Sequence, residues 1–399
     1  HGSDNSNEIE KDKLIIFSRT EGVSSSNIRK KASDIVSSVK RKILLNPGPG
    51  STTDSVKKAQ LVPDICPREK EFGNIMDYIS LELTSFVADK NKFSTILFNG
   101  SGTAAIEAIL TSVVPSKKSI IIINNGSYGH RMCKIALRYN LNFIEFKSSK
   151  LKPINLGELE KLIITNKNLS HIAIVHNETT TGLLNDIDKV GVLSKKYNLK
   201  LIVDAMSSYG AIPINMEKSH ISFLAASSNK NLQGLPGVSF VIAKNGCLNE
   251  LKEIKQLTYY LSLRDEYEYF NTKKQARFTP PVQTIYALKQ AIKETKIETI
   301  QKRYDRYKKS WNTLIKGLKE LGLSYIIDDE NHSKIITSIE IPPNINFEDL
   351  HDFFYTKDIT IYPGKIEEFN TFRIANIGDI DFKDIKSFLM FLNSYIKKS

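Results

Sequence analysis

Short apolar runs alternate with helical patterns between about residues 93 and 244, and this alternation limits the possible folds more than any other feature. The runs are TILF, SIIIIN, LNFIEF, HIAIV, LKLIV, SFLAA and VSFVIA. Between them, apolar residues recur at the three-to-four spacing of amphipathic helices. Strands that alternate with helices predict βαβ units. We therefore expect an α/β fold built on a mostly parallel sheet of seven strands.

The length of the chain and a change in its pattern predict two domains. A chain of 399 residues exceeds the usual size of one compact core. Beyond about Phe278 a long helical stretch, VQTIYALKQAIKETKIETIQKRYDRYKKSWNTLIKGLKEL, precedes the shorter predicted strands LSYIID, KIITSIEI, ITIY and TFRIAN and two further helices. We expect a large domain at 41–295 and a smaller C-terminal α/β domain at 296–399.

Residues 1–40 form a polar, basic leader. Its start, HGSDNSNEIEKDK, has no hydrophobic signal-peptide core, and His1–Ser3 are typical of a cloning remnant. The stretch RTEGVSSSNIRKKA resembles the tail of a nucleotidyltransferase, which would make this chain part of a longer fusion. A serine-rich cap before a basic helix explains the same stretch and is the favoured explanation. Both interpretations stay open.

Composition excludes several classes of protein. No apolar run approaches the eighteen or so residues of a membrane span. The formal net charge is +12, but the lysines are dispersed among acids rather than gathered in one stripe, which is not typical of nucleic-acid binding. Cys66, Cys133 and Cys247 have neither metal-ligand spacing nor an even count for disulfides. We expect a soluble cytoplasmic protein that binds no metal, membrane or nucleic acid.

Polar loops follow five of the predicted strands. They read NGSGT, NNGSYGHR, HNETTTG, DAMSSYG and SSNKNLQG. In open parallel sheets, ligands bind outside the carboxyl ends of the strands, where such loops gather. The five loops should therefore face one another around one site.

Each loop residue has an ordinary structural explanation when it is taken alone. The turn before Ser101 and Thr103 is common at the start of a helix, although such a helix end also binds phosphate. Asp204 alone is best explained as a helix cap. Tyr128 alone is a routine core residue, and Lys230 alone is a surface residue.

Taken together, the same residues match the requirements of pyridoxal 5'-phosphate chemistry. That cofactor needs a lysine amine to hold it as a Schiff base, an acid against its pyridine nitrogen and a cradle for its phosphate. Lys230 stands among Ser, Asn and Gln with no acid beside it, which suits an amine whose pKa is lowered by burial. Asp204 follows the strand LKLIV and fits the pyridine nitrogen.

The sequence resembles the aminotransferase class V family of fold-type I pyridoxal phosphate enzymes. The resemblance runs from about Lys42 to the C-terminus, and its motifs occur in order. They are LLNPGPGSTT, VPDICPREKEF, GSGTAAIEA, NGSYGHRM, IVHNETTTG, IVDAMSSYG, SSNKNLQGLPG, RFTPPVQT, IYPGK and FRIANIG. Two residues depart from the family pattern, Asn46 where threonine is found in some relatives and Asn177 where serine is frequent.

The resemblance implies roles for the residues around the cofactor ring. It makes Lys230 the Schiff-base lysine and Asp204 the partner of the pyridine nitrogen. It places Tyr128 against the face of the ring and counts Asn229 among the cofactor-binding residues.

The resemblance also implies which hydroxyl groups contact the cofactor's oxygens. Ser101, Gly102 and Thr103 would bind the phosphate, and either Thr180 or Thr181 would approach the phenolic oxygen of the ring.

Two further residues are implied by motif position. Thr279 in RFTPP is similar to the threonine that reaches the neighbouring subunit's cofactor phosphate, which implies a homodimer with shared active sites. Arg373 in TFRIAN matches the arginine that anchors the substrate's anion, although an arginine on a short strand is more often part of a structural ion pair.

The resemblance is strongest to members of the family that move the amino group of 2-aminoethylphosphonate to pyruvate, so we expect these small-molecule substrates. Another class V activity, such as alanine or serine:glyoxylate aminotransferase, is the alternative, and the VPDICPREKEF segment argues against it. Asn229 stands where cysteine desulfurases usually have histidine. A binding protein without catalysis is disfavoured because Lys230 and Asp204 are both present.

Overall fold

A computed structural model describes residues 40–366 and 368–397. Its largest sheet has seven strands. The unit described here begins at Arg41. The predicted tag remnant and nucleotidyltransferase tail of the leader fall outside the described residues, apart from Lys40. Across the part of the chain that is described, no helix combines the length and the apolar character needed to cross a membrane.

The strands and helices have the following bounds. The strands are β1 Ile43–Leu44, β2 Phe93–Asn99, β3 Ser119–Asn124, β4 Phe143–Lys147, β5 Leu169–Val175, β6 Asn177–Glu178, β7 Leu183–Leu184, β8 Lys200–Asp204, β9 Ile221–Ser227, β10 Val238–Lys244, β11 Ile336–Glu340, β12 Ile359–Thr360, β13 Tyr362–Pro363 and β14 Thr371–Ala375. The helices are α1 Asp54–Lys58, α2 Lys70–Ser85, α3 Gly102–Val113, α4 Ser127–Arg138, α5 Leu156–Thr165, α6 Ile187–Lys196, α7 Asn245–Glu250, α8 Leu263–Lys273, α9 Val282–Glu298, α10 Ile300–Glu320, α11 Phe347–Tyr355 and α12 Phe382–Ile396.

The central sheet has the order β2-β10-β9-β8-β5-β3-β4. Strand β10 runs antiparallel to both of its neighbours, and the pairs from β9 to β4 are parallel. All seven predicted runs form these strands, so the expected α/β fold with a mostly parallel seven-stranded sheet is confirmed. Because β5, β8 and β9 are neighbours and parallel, the loops after them leave the sheet at the same edge.

Helices cover both faces of this sheet, which explains why its strands are apolar on both sides. The four isoleucines at 120–123 in β3 are fully buried. One face packs against α2, α5, α6 and α9, and the other packs against α3, α4 and α8. A parallel sheet buried on both faces needs continuous apolar runs rather than alternating ones, and the sequence supplies them.

A second, antiparallel sheet of order β11-β14-β13 lies in the C-terminal part and packs against α10, α11 and α12. The long predicted helical stretch is divided in two, because Thr299 takes a φ of 67° and its hydroxyl oxygen accepts a hydrogen bond from the Lys302 amide. The predicted strand LSYIID is wrong as a strand, since it contributes an isolated bridge between Tyr325 and Ile339. The domain boundary between residues 295 and 296 falls inside α9 and stays a prediction.

The segment before α1 links the two sheets. Strand β1 pairs with β12, and the Ala375 amide in β14 donates to the carbonyl of Leu45 at 2.7 Å. Further along, the Gly50 amide donates to the carbonyl of Asn229 at 2.9 Å. The NPGPG turn at 46–50 is therefore held against the loop that follows β9, where Lys230 lies.

Candidate active site

The polar loops converge on a cavity of about 190 Å³ at the carboxyl ends of β5, β8 and β9, beside the first turns of α3 and α4. Its lining comes from all five loops singled out in the sequence. The lining residues are Ser101, Gly102, Thr103, Ile106, Tyr128, Arg131, Met132, Val175, Asn177, Thr179, Asp204, Met206, Ser207, Ser227, Asn229 and Lys230.

Lys230 lies in the loop after β9 and points into this cavity. Its Nζ donates to the carbonyl oxygen of Pro47 at 2.7 Å. A Cβ on Gly48 would overlap the lysine side chain, and Gly48 has a φ of 136°, so this position requires glycine. Burial lowers the pKa of Lys230 to about 8, with Arg373, Lys365 and Arg131 adding repulsion and Asp204 opposing the shift. The amine is therefore far more often neutral than an exposed lysine.

Asp204 is the last residue of β8 and is 6% exposed. Its Oδ1 accepts a hydrogen bond from the Met206 amide at 3.0 Å. Burial raises the pKa of Asp204 to about 6, and the nearby Glu178 adds to this effect. A buried carboxylate of this kind is stabilised by a cationic partner. The protonated pyridine nitrogen of pyridoxal phosphate supplies such a charge, so this residue fits the cofactor.

The start of α3 forms an anion-binding end. Ser101 is the N-cap, but its side chain makes no capping hydrogen bond, so the first amides of the helix face the cavity without a side-chain acceptor. A Cβ on Gly102 would overlap the side chain of Met206. Arg131 Nη1 donates to Thr103 Oγ1 at 3.2 Å and brings a cation to the same end. Backbone amides, hydroxyls and a cation together suit a phosphate group.

Tyr128 is fixed by a buried acid that sequence reasoning missed. Glu178 is fully buried in β6 and accepts hydrogen bonds from the Tyr128 amide at 3.2 Å and from the amide and hydroxyl of Thr180. Burial raises the pKa of Glu178. A Cβ on Gly126 would overlap the Glu178 carboxyl group. Glu178 therefore occupies the N-terminal end of α4 and fixes the backbone of Tyr128.

The three threonines of the HNETTTG loop differ in where their hydroxyls point. Thr179 lines the cavity, and its Oγ1 is buried with no hydrogen-bond partner among the described residues. The hydroxyl of Thr180 donates to Glu178, and that of Thr181 accepts from the Leu183 amide at 3.2 Å. The hydroxyls of Thr180 and Thr181 thus bind within the loop, whereas Thr179 lies on the cavity wall; that Thr180 or Thr181 contacts the cofactor stays a prediction.

Arg373 lies on β14 and is 1% exposed. Its Nε donates to the carbonyl of Pro363 at 2.9 Å, and its Nη1 donates to the carbonyl of Thr179 at 3.0 Å. The contact with Thr179 places the guanidinium behind the cavity wall. Within the described ranges no carboxylate lies within ion-pair distance of Arg373, in contrast to the structural ion pair that is common for such an arginine.

The remaining predicted residues divide into two groups. Asn229 lines the cavity beside Lys230. Thr279 does not belong to the lining and is exposed, while its carbonyl accepts from Asn99 Nδ2 at 3.0 Å at the end of β2. Of the departures, Asn177 lines the cavity and donates to Ser207 Oγ at 3.1 Å, and Asn46 donates to the Pro49 carbonyl.

Sequence reasoning missed Thr179, Glu178, Arg131 and Lys365. All four lie within stretches that were singled out: Glu178 and Thr179 in HNETTTG, Lys365 in IYPGK, and Arg131 at the end of NNGSYGHR. No signal in the loop sequences showed which side chain faces inward. The described residues contain no cluster of three or more potential metal ligands, and the three cysteines are free thiols.

The same fold occurs in solved aminotransferase structures. An alanine–glyoxylate aminotransferase from Nostoc sp. superimposes with a TM-score of 0.84, at 24% identity over 90% of this chain and 96% of that one. A pyridoxamine–pyruvate aminotransferase from Mesorhizobium loti gives 0.83 at 19% identity, covering 90% of this chain and 93% of that one. The architecture is that of the fold-type I pyridoxal phosphate-dependent transferases.

Sequence comparison defines the family. The chain belongs to the aminotransferase class V family, whose model matches residues 59–367, and it is a pyridoxal phosphate-dependent transaminase. A bifunctional phosphonoacetaldehyde hydrolase/aminoethylphosphonate transaminase of Clostridioides difficile is 38% identical over 89% of this chain, which spans 56% of that relative's length. A 2-aminoethylphosphonate–pyruvate transaminase of Bacillus cereus is 37% identical over 86% of this chain and 94% of its own length.

Proposed function

We propose that this transaminase transfers the amino group of 2-aminoethylphosphonate to pyruvate, giving phosphonoacetaldehyde and alanine. The observation that carries the proposal is a partly neutral amine, Lys230, in one cavity with a buried acid, Asp204. The names of the two relatives at 37–38% identity support this choice of substrates.

In this proposal, residues of the large sheet hold the cofactor. Lys230 Nζ binds it covalently, Asp204 pairs with its pyridine nitrogen and Tyr128 covers one face of the ring. Asn229 and the α3 end at Ser101–Thr103 complete the set, with Thr179 taking the place given to Thr180 or Thr181. The bound cofactor supplies an electron sink that stabilises negative charge at the substrate carbon.

Lys230 performs the proton transfer. In the chain without cofactor, burial lowers the pKa of Lys230 Nζ to about 8. Roughly one such amine in ten is neutral at pH 7, compared with fewer than one in a thousand for an unperturbed lysine. Nζ would therefore take the proton from the amine-bearing carbon of the substrate as a general base and, as a general acid, deliver it to the cofactor carbon that is joined to the amine. Ionised Asp204 keeps the pyridine nitrogen protonated throughout.

The anion of the substrate binds at Arg373. Its guanidinium lies behind Thr179 on the side of the small antiparallel sheet. A planar guanidinium binds carboxylates and phosphonates by two parallel hydrogen bonds. The two amino donors of the reaction, 2-aminoethylphosphonate and alanine, carry their anions at different distances from the amine. The anchor must accept both.

We further propose a homodimer with shared active sites, in which Thr279 contacts the cofactor phosphate of the partner. Its exposure at the carboxyl edge of the sheet, beside Asn99, supports this role. A mixture of Lys230→Ala and Thr279→Ala chains should recover activity that neither variant has alone. We retain a cytoplasmic location and the division at 41–295 and 296–399 as parts of the proposal.

The decisive test incubates purified protein with pyridoxal phosphate, 2-aminoethylphosphonate and pyruvate and measures alanine. We expect alanine from the wild type and none above background from Lys230→Ala. Alanine made from other amines but not from the phosphonate would remove the substrate assignment and leave the family. Activity with glyoxylate in place of pyruvate would favour the alternative class V activity.

A further inference from the structure

Three cations gather around Tyr128 at one side of the cavity. The guanidinium carbon of Arg131 lies 4.8 Å from the centre of the Tyr128 ring, and Lys365 Nζ lies 5.8 Å from it. Arg373 is close enough to both Lys365 and Lys230 to repel them, and Arg131 repels Lys365 as well. Like charges so arranged destabilise one another unless an anion lies among them.

Buried arginines elsewhere in the chain are neutralised by acids. Arg303 is 1% exposed, and its Nε lies 2.6 Å from Glu298, which also binds Arg306 at 2.7 Å. Among residues 40–366 and 368–397, by contrast, the equally buried Arg373 has no carboxylate within 4.0 Å. The exposed Arg131 and Lys365 have none either, and Glu178 and Asp204 are the acids that face the cluster. The contrast indicates that this cluster is built for an anion that arrives from solution.

Arg373 alone carries too little positive charge for a phosphonate. Its Nε and one hydrogen of Nη1 are used by the carbonyls of Pro363 and Thr179, so the donors left are on Nη2 and the second hydrogen of Nη1. These suffice for the two oxygens of a carboxylate. A phosphonate, like a phosphate, has three acceptor oxygens and close to two negative charges, so it needs a further cation.

Lys365 is held where that cation is needed. It follows β13 in a turn whose Gly364 amide donates to the Thr371 carbonyl at 2.7 Å, while the Pro363 carbonyl accepts from Arg373. A Cβ on Gly364 would overlap Thr371, so the turn packs directly on β14. The backbone before Lys365 is thus fixed to the strand that carries Arg373, and the two cations lie on or just after neighbouring strands of the small sheet, on the side of Tyr128.

Arg131 serves a different anion. Its Nη1 is hydrogen-bonded to Thr103 at the start of α3, the end assigned to the cofactor phosphate. Lys365 has no hydrogen-bond partner at that end among the described residues. Arg131 and Lys365 therefore bind two different phosphorus-containing groups. Arg131 binds the phosphate of the cofactor, and Lys365 binds the phosphonate of the substrate.

We propose that Lys365 is the specificity-determining residue that, together with Arg373, binds the dianionic phosphonate of the amino donor and distinguishes it from a carboxylate. This inference rests on the proposed function. In this assignment Arg373 binds two oxygens of the anion, as it would in a carboxylate. Lys365 neutralises the additional negative charge that only the phosphonate carries.

The test compares amino transfer from 2-aminoethylphosphonate and from alanine to the cofactor of the pyridoxal phosphate-loaded protein, followed by absorption as a single half-reaction that needs no acceptor. We expect Lys365→Met to lower kcat/KM for the phosphonate by about 10- to 100-fold, mostly through KM, because a charge-assisted contact is lost. The value for alanine should change by less than about threefold. Lys365→Arg should recover most of the phosphonate activity, and Lys316→Met, an exposed lysine on α10, should behave as the wild type.

A binding measurement separates recognition from turnover. Calorimetric titration with ethylphosphonate and with propionate, which lack the reacting amine, should show a 10- to 100-fold loss for ethylphosphonate alone in Lys365→Met. Equal losses for both ligands, no loss for either, or a selective loss in Arg131→Met instead would overturn the assignment. A wild type that makes no alanine from the phosphonate, yet uses other donors, would refute the proposed function itself and is a distinct result.

Discussion

The two walls of the cavity carry charge in different ways. On the side of the seven-stranded sheet, Lys230 and Asp204 are opposite in sign, and each is pushed towards its neutral form by burial. On the side of the three-stranded sheet, Arg373 and Lys365 are both cationic. The first wall suits proton transfer and the second suits anion binding, so changes in the first should affect kcat and changes in the second KM.

The largest effect is expected for Lys230→Ala. Removal of the covalent attachment and of the base should lower kcat by at least about 10⁴-fold with every donor. Lys244→Ala, an exposed lysine at the end of β10, should leave kcat unchanged. Borohydride reduction followed by mass spectrometry should find a pyridoxyl group on Lys230 in the wild type. A variant that retains more than about 1% of activity would refute its role.

Asp204→Asn should lower kcat by about 10³-fold with 2-aminoethylphosphonate and with alanine alike, since the pyridine nitrogen loses its ionic partner. A loss confined to one donor would contradict the assignment of this wall to chemistry.

The raised pKa of Asp204 also predicts how the folding stability of the cofactor-free protein depends on pH, and Asp204→Asn tests this prediction. The pKa of Asp204 is about 6 in the folded chain and 3.8 in the reference state. Because burial raises it, the folded state loses stability as pH rises from 3.8 to 6, by about 3 kcal/mol at most. Asp204→Asn should therefore melt at a higher temperature than the wild type at pH 7.5. The difference should shrink as pH falls from 6 towards 4, and a difference independent of pH would contradict the buried carboxylate.

Arg373→Gln should lower kcat/KM by about 100-fold for both anionic donors, mainly through KM. Arg373→Lys keeps the charge and the contact with the backbone, so it should fold as the wild type does and lose less. Thermal melting of both variants shows whether the substitution disturbs the fold. A fall in kcat with KM unchanged would move Arg373 to the chemical wall.

The smallest effect is expected for Thr179→Val, about a tenfold loss with a shift in the absorption of the bound cofactor, because one hydroxyl contact is removed. Thr180→Val should disturb Glu178 and Thr181→Val the Leu183 amide, so their main effect should be a lower melting temperature. The same absorption shift in Thr181→Val but not in Thr179→Val would support the prediction made from sequence.

Sequence patterns predicted the sheet well because local chemistry is sufficient for it. An apolar run such as SIIIIN has no stable place except a strand buried on both faces, and alternation with helices makes the neighbouring strands parallel. The same logic placed the loops with Lys230 and Asp204 at one edge. It failed for LSYIID, whose apolar residues meet the small sheet at one bridge, and for the single long helix that Thr299 interrupts.

The sequence by itself determined which polar loops follow which strands and which residue types these loops contain. Among them are Lys230, which has no acidic neighbour in sequence, and Asp204, which ends a strand. Only the tertiary structure decided which side chains face the cavity. Thr179 lines the wall and Thr180 binds Glu178, and Lys365 lies beside Tyr128 although 237 positions separate them in the chain. The reason is physical: strand identity follows from short-range apolar patterning, whereas side-chain direction in a loop depends on distant backbone that packs against it.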